Sequence, residues 1–121
     1  MNKEELKNRT KAFAVRVFKV VIALERNKAV DVISYQLLKS SSSIAANYRA
    51  ACRGKSSADF LNKLKVVDEE ADESLFWLEF MNELEINCDK TELHFLMNEA
   101  NELVSIFSAA IRTIKSRHQK S

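Results

Sequence analysis

Proline is absent from this sequence and glycine occurs once, at Gly54. The residues that break helices and build hairpin turns are therefore nearly missing, which leaves little with which to write a β-rich fold. Cysteine is scarce too: Cys52 and Cys88 form no CxxC pair, and no Cys/His cluster has zinc-ligand spacing. Both read as free thiols of a reducing compartment. No apolar run approaches a membrane span or a signal-peptide core, so the chain reads as soluble and cytoplasmic, with no membrane partner. With one glycine there is no glycine-rich loop to cradle a nucleotide phosphate.

What is present is helical periodicity. Leu6, Thr10, Phe13, Val17, Val20 and Leu24 recur at steps of three or four and predict a first helix over about 3–26. Asn27-Lys28 interrupts the pattern. Ile33, Leu37, Ile44, Tyr48 and Ala51 then predict a second helix over about 29–54, with Gly54 as its C-terminal cap. Ser56 and Asp59 resemble a capping box ahead of Phe60, Leu64, Val67, Ala71, Leu75, Leu78 and Met81, a third helix over about 57–86. Asp89 and Glu92 take cap and third-position roles before Leu93, Leu96, Ala100, Leu103, Phe107, Ile111 and Ile114, a fourth helix over about 90–115 with a polar tail from Ser116. Connections this short force each helix to run antiparallel to the last. The expectation is an all-α, antiparallel up-down-up-down four-helix bundle, one domain spanning residues 1–121.

A simple bundle leaves two features over. Val15, Phe18 and Ile22 form a second apolar stripe on helix one, nearly opposite the first, and with Tyr35 they are candidates for an oligomer interface. Gln36, Ser40 and Asn47 fall at the edge of the buried face of helix two, where each must bond to another or to a neighbouring helix. The outward face of that helix carries Tyr35, Lys39, Ser42, Ala46, Arg49 and Arg53, a plausible docking strip.

Catalytic chemistry is poorly served. A di-metal carboxylate bundle needs Glu-x-x-His pairs, but Thr91 stands three before His94 and Lys115 three before His118. The acidic run Asp68, Glu69, Glu70, Asp72 and Glu73 spans several helix faces and reads as solvated or salt-bridged surface. Two histidines, one in the tail, make a nucleophile and base pair improbable, and Cys52 reads as an inert, partly buried thiol. No catalytic, cofactor, metal or small-molecule site is expected.

Charge is the informative signal. The net charge is only +2, yet residues 1–65 hold 14 Lys/Arg against 5 Asp/Glu, and residues 66–102 hold 12 acids against Lys90 alone. Lys39, Arg49, Arg53, Lys55, Lys63 and Lys65 follow one another from helix two into helix three. Such a strip suits salt-sensitive contacts to nucleic-acid phosphates, or pairing with the acidic helix three of the same or a neighbouring subunit.

The segments Gln36-Leu37-Leu38-Lys39-Ser40, Ser43-Ile44-Ala45-Ala46-Asn47-Tyr48-Arg49-Ala50-Ala51-Cys52-Arg53, Lys55-Ser56 and Asp59-Phe60 are joined by Glu69-Glu70-Ala71-Asp72-Glu73-Ser74 and Trp77-Leu78-Glu79. Together they closely resemble the bacterial four helix bundle proteins, also called 23S ribosomal RNA intervening sequence proteins, over about residues 6–115. The resemblance implies a bundle that assembles as a homo-oligomeric ring, typically a pentamer. It also implies a ribosomal-protein-like group named after reading frames within intervening sequences of ribosomal RNA genes. Related accessory proteins of diversity-generating retroelements resemble basic rings that bind nucleic acid and a reverse transcriptase. Carried over, the implied contacts to RNA or a ribonucleoprotein are Lys39, Arg49, Arg53, Lys55 and Lys63.

Overall fold

The computed structural model describes residues 1–120, and the side chains of residues 1–117. It contains α1 (Lys3–Ile22), α2 (Lys28–Cys52), α3 (Ser57–Glu83) and α4 (Lys90–Lys120), and no strand among the described residues. α2 packs against α1 and α3, α4 closes against α3 and more lightly against α1, and the diagonal pair α1 and α3 have no backbone approach. The chain is thus an antiparallel four-helix bundle.

Side chains at the turns start the helices where the sequence signals them. The Asn2, Asn27, Ser56 and Asp89 side chains accept hydrogen bonds from the backbone N–H groups of Glu5, Val30, Asp59 and Glu92 at 2.8, 2.9, 3.1 and 3.1 Å. Each satisfies one of the donors that a helix start leaves unpaired.

The helix ends differ from the periodicity. α1 stops at Ile22 rather than near residue 26, because Ala23 and Leu24 turn to bond the carbonyls of Val20 and Val21, yet Leu24 remains buried. α2 ends at Cys52, with Arg53 rather than Gly54 as the capping residue. Gly54 has no positive φ; a Cβ there would sit 3.1 Å from the Ala51 carbonyl oxygen, so the residue serves a close approach. α4 continues to Lys120 through the polar segment from Ser116, which contains no glycine or proline to stop it. The side chain of His118 lies outside the described residues.

α3 stops at Glu83, short of residue 86, in a turn where Glu85 donates to the Asn82 carbonyl and Ile86 to the Met81 carbonyl. That pattern needs a left-handed residue, and Glu85 supplies it at φ 55° where glycine is usual. Replacing Glu85 by glycine should therefore stabilise the fold by about 0.5–1 kcal/mol. Thermal unfolding monitored at 222 nm would show it as a raised midpoint.

One cluster of buried side chains runs the length of the bundle, with Phe13, Val17, Leu37, Ile44, Leu64, Leu78, Leu93, Leu103 and Phe107 almost wholly excluded from solvent. The broadest interface, α2 against α3, is lined with small residues. Ser40, Ala71 and Ser74 are buried on these helices, and the Ser74 hydroxyl donates to Ser40 Oγ at 2.8 Å across the seam. Ser40 thus finds its partner on the neighbouring helix, whereas Asn47 Nδ2 donates within its own helix to the Ser43 carbonyl and Ser43 Oγ, both at 2.9 Å.

The lighter α1–α4 seam is closed by ion pairs. Arg9 donates from Nε and Nη2 to the two carboxylate oxygens of Glu99, each at 2.7 Å, and Nη2 also reaches Glu102. Arg16 makes the same two-pronged contact with Glu92 at 2.7 and 3.0 Å while lying 3.6 Å over the Phe95 ring. Hydrogen bonds to Glu99 first, and its charge as well, hold the Arg9 guanidinium above its ordinary pKa.

Candidate nucleic-acid interface

α2 carries two of the five cations singled out in the sequence, Lys39 and Arg49; Arg53 caps it, Lys55 lies in the turn that follows and Lys63 on α3. Lys39, Arg49, Arg53, Lys55 and Lys63 are all exposed. Among the described residues none of them forms an ion pair. They do not lie on one surface. Lys39 sits in mid-helix near Glu70 of α3, whose carboxyl is raised by burial and by Glu73 while Lys39 pulls it back. Arg49 lines a groove between α1 and α2. Lys55 lines a cleft at the end of the bundle where α2 turns into α3.

That end cleft, about 670 Å³, brings together residues far apart in sequence. Lys3 comes from the start of α1, Lys55 and Ser56 from the α2–α3 turn, Ser57 and Phe60 from α3, and Arg117 from α4. Lys3 Nζ stands 4.7 Å from the Phe60 ring centroid, a cation–π contact that holds the ammonium beside the cleft. Among the described residues no carboxylate lines the cleft. Cations, hydroxyls and an aromatic edge without competing acid are what phosphate oxygens and stacked bases require. Sequence periodicity could not show that Lys3 and Arg117 join Lys55, because helix ends meet only once the antiparallel packing is known.

The candidate oligomer residues fall on a different face. Val15, Phe18 and Ile22 are 45%, 37% and 76% exposed and line the α1–α2 groove with Arg49 and Ala46. Tyr35 is exposed on α2 but outside that groove's lining. A second exposed apolar group went unread in the sequence: Phe76 and Phe80 on α3 pack with the half-buried Trp77, edge to face and tilted, with centroids 4.9 to 5.9 Å apart. The unbroken run Leu75-Phe76-Trp77-Leu78 hides them, since periodicity cannot divide four consecutive apolar residues between two faces.

Among the described residues no three His, Cys, Asp or Glu side chains gather as a metal site would, and no helix is long and apolar enough to cross a membrane. Cys52 is half-buried against the core, and burial pushes the Cys88 thiol above its ordinary range. Tyr48, buried and beside Cys52, is likewise held in its neutral form, chiefly by burial.

Comparison with curated proteins gave no match. Among solved structures, the chain is similar to a protein of unknown function from the S23 ribosomal protein family of Bacteroides thetaiotaomicron VPI-5482. The two are 31% identical with a TM-score of 0.81, over 93% of this chain and 99% of that one. The family model for the 23S rRNA-intervening sequence protein matches residues 2–109. With that span matched and the bundle geometry shared, the chain belongs to the 23S rRNA-intervening sequence protein family.

Proposed function

We propose that the chain is a cytoplasmic, non-enzymatic, self-associating bundle that binds structured RNA, alone or in a ribonucleoprotein. The cations Lys39, Arg49, Arg53, Lys55 and Lys63 supply the contacts from more than one surface, and their centre is the α2–α3 end. The observation that carries this reading is the end cleft, where Lys3, Lys55 and Arg117 converge with no carboxylate among the described residues that line it. Arg53, the capping residue of α2, adds a fourth exposed cation next to Lys55. The family's name and the neighbour's ribosomal-protein family support RNA over other polyanions.

The test is a double substitution at this end. Arg53→Ala with Lys55→Ala removes two cations from the solvent-exposed turn, so helicity should stay unchanged. Affinity for a ribosomal RNA stem-loop should fall about tenfold or more, and the slope of log affinity against log salt should shrink by roughly 1.5. Lys90→Ala serves as the control: Lys90 opens α4 at the α3–α4 turn, its ammonium bonded to the Ile86 carbonyl at 2.6 Å. Equal affinity for the double variant and the wild type, by fluorescence anisotropy, would refute the assignment.

A further inference from the structure

Two strips of exposed apolar surface on this bundle carry opposite charge. The α1–α2 groove, about 710 Å³, offers Val15, Phe18 and Ile22 flanked by Lys11 and Lys19. Lys7 on the same rim already bridges Glu4 at 3.0 Å, but Lys11 and Lys19 have no ion-pair partner among the described residues. On α3, Glu69, Glu73, Phe76, Phe80 and Leu84 follow at steps of three or four, so they form one ridge along the helix. Phe76, Phe80 and Leu84 are 51%, 39% and 52% exposed. From Asp68 to Glu85 there is no lysine or arginine to neutralise that ridge.

α1 and α3 are diagonal in the bundle with no backbone approach, so one chain cannot lay its own ridge in its own groove. We infer that the groove between α1 and α2 receives the acidic, aromatic α3 ridge of a second copy, with Lys11 and Lys19 facing Glu69 and Glu73 and Phe18 packing against Phe76 and Phe80. Apolar strips of this kind are covered in stable assemblies, and the opposed charges fix which strip meets which. Groove against ridge is a head-to-tail contact. It leaves one groove and one ridge open in every pair, and growth continues until a ring closes or a filament forms. This inference rests on the self-associating part of the proposed function and is independent of RNA binding.

Charge exchange tests it, read by light scattering coupled to gel filtration, with circular dichroism confirming helicity. All the substituted side chains are partly or fully exposed, so folding is retained. The wild type should run as more than two copies. Lys11→Glu with Lys19→Glu should lose assembly, and so should Glu69→Lys with Glu73→Lys. All four substitutions in one chain restore opposite charges across the contact and should restore assembly. A wild-type mass of two copies would overturn the head-to-tail arrangement. An assembly indifferent to the ridge substitutions, or a fourfold variant that stays monomeric, would overturn the pairing while leaving self-association intact. A monomeric wild type would overturn both.

Discussion

Replacing Phe107 by alanine should cost the fold about 3–5 kcal/mol, the largest single effect expected of any side chain here. Phe107 is wholly buried on α4, and its ring lies 5.6 Å from that of Tyr48 on α2. α2 and α4 are diagonal and have no backbone approach, so these two rings span the centre of the core between them. Truncation removes the ring's dispersion contacts and leaves a cavity that four helices, already held apart by other large side chains, cannot close. Small domains are stable by only about 5–15 kcal/mol, so the variant should be partly unfolded at 37 °C. In urea the midpoint should fall sharply with an unchanged slope. Phe107→Leu, which keeps most of the volume, should cost about 1–2 kcal/mol. A small effect of the alanine variant would mean that the core closes without the two rings.

The second large effect concerns a small residue. Ser74 is completely buried where α3 meets α2, and its hydroxyl bonds Ser40. Ser74→Ala loses that bond but strands nothing, because Ser40 also donates to the Leu37 carbonyl at 3.3 Å; the expected cost is about 1 kcal/mol. Ser74→Leu forces a branched side chain into the closest helix seam and should cost about 3 kcal/mol, by overpacking rather than by lost polarity. The order of the two variants is the diagnostic. Leucine more stable than alanine would show that the seam is not limited by size.

These two sites mark where sequence reasoning succeeds and where it stops. Phe107 was legible, as were Phe13, Val17, Leu37, Ile44, Leu64, Leu78 and Leu96, because large apolar residues at helical spacing have few other places to go. Ser74, Ser34 and Ser41 were not, although all three are buried. A serine is small enough for either side of a helix, and only the packing of neighbouring helices decides between them. Ser40 stood out only as a polar residue on an apolar edge, and its partner 34 residues away was invisible.

Electrostatics divides in the same way. The charge asymmetry along the chain is plain in the sequence, but its spatial consequences are not. Arg9 and Arg16 look like ordinary surface cations of α1 until α4 places Glu99 and Glu92 opposite them. Pairing takes these two out of the basic surface, whereas Lys3, Lys55 and Arg117 gather at the far ends of three elements. The structure therefore spreads the candidate cations over more than one surface, with Lys55 at the end cleft and Arg49 along the α1–α2 groove.

The most direct test of the central claim is binding of nuclease-treated wild-type protein to a labelled ribosomal RNA stem-loop across a salt series, beside a duplex DNA of matched length. The account predicts tighter binding to RNA, with affinity falling steeply and linearly on a log–log plot as salt rises. Absence of binding at low salt, or binding indifferent to salt, would contradict it.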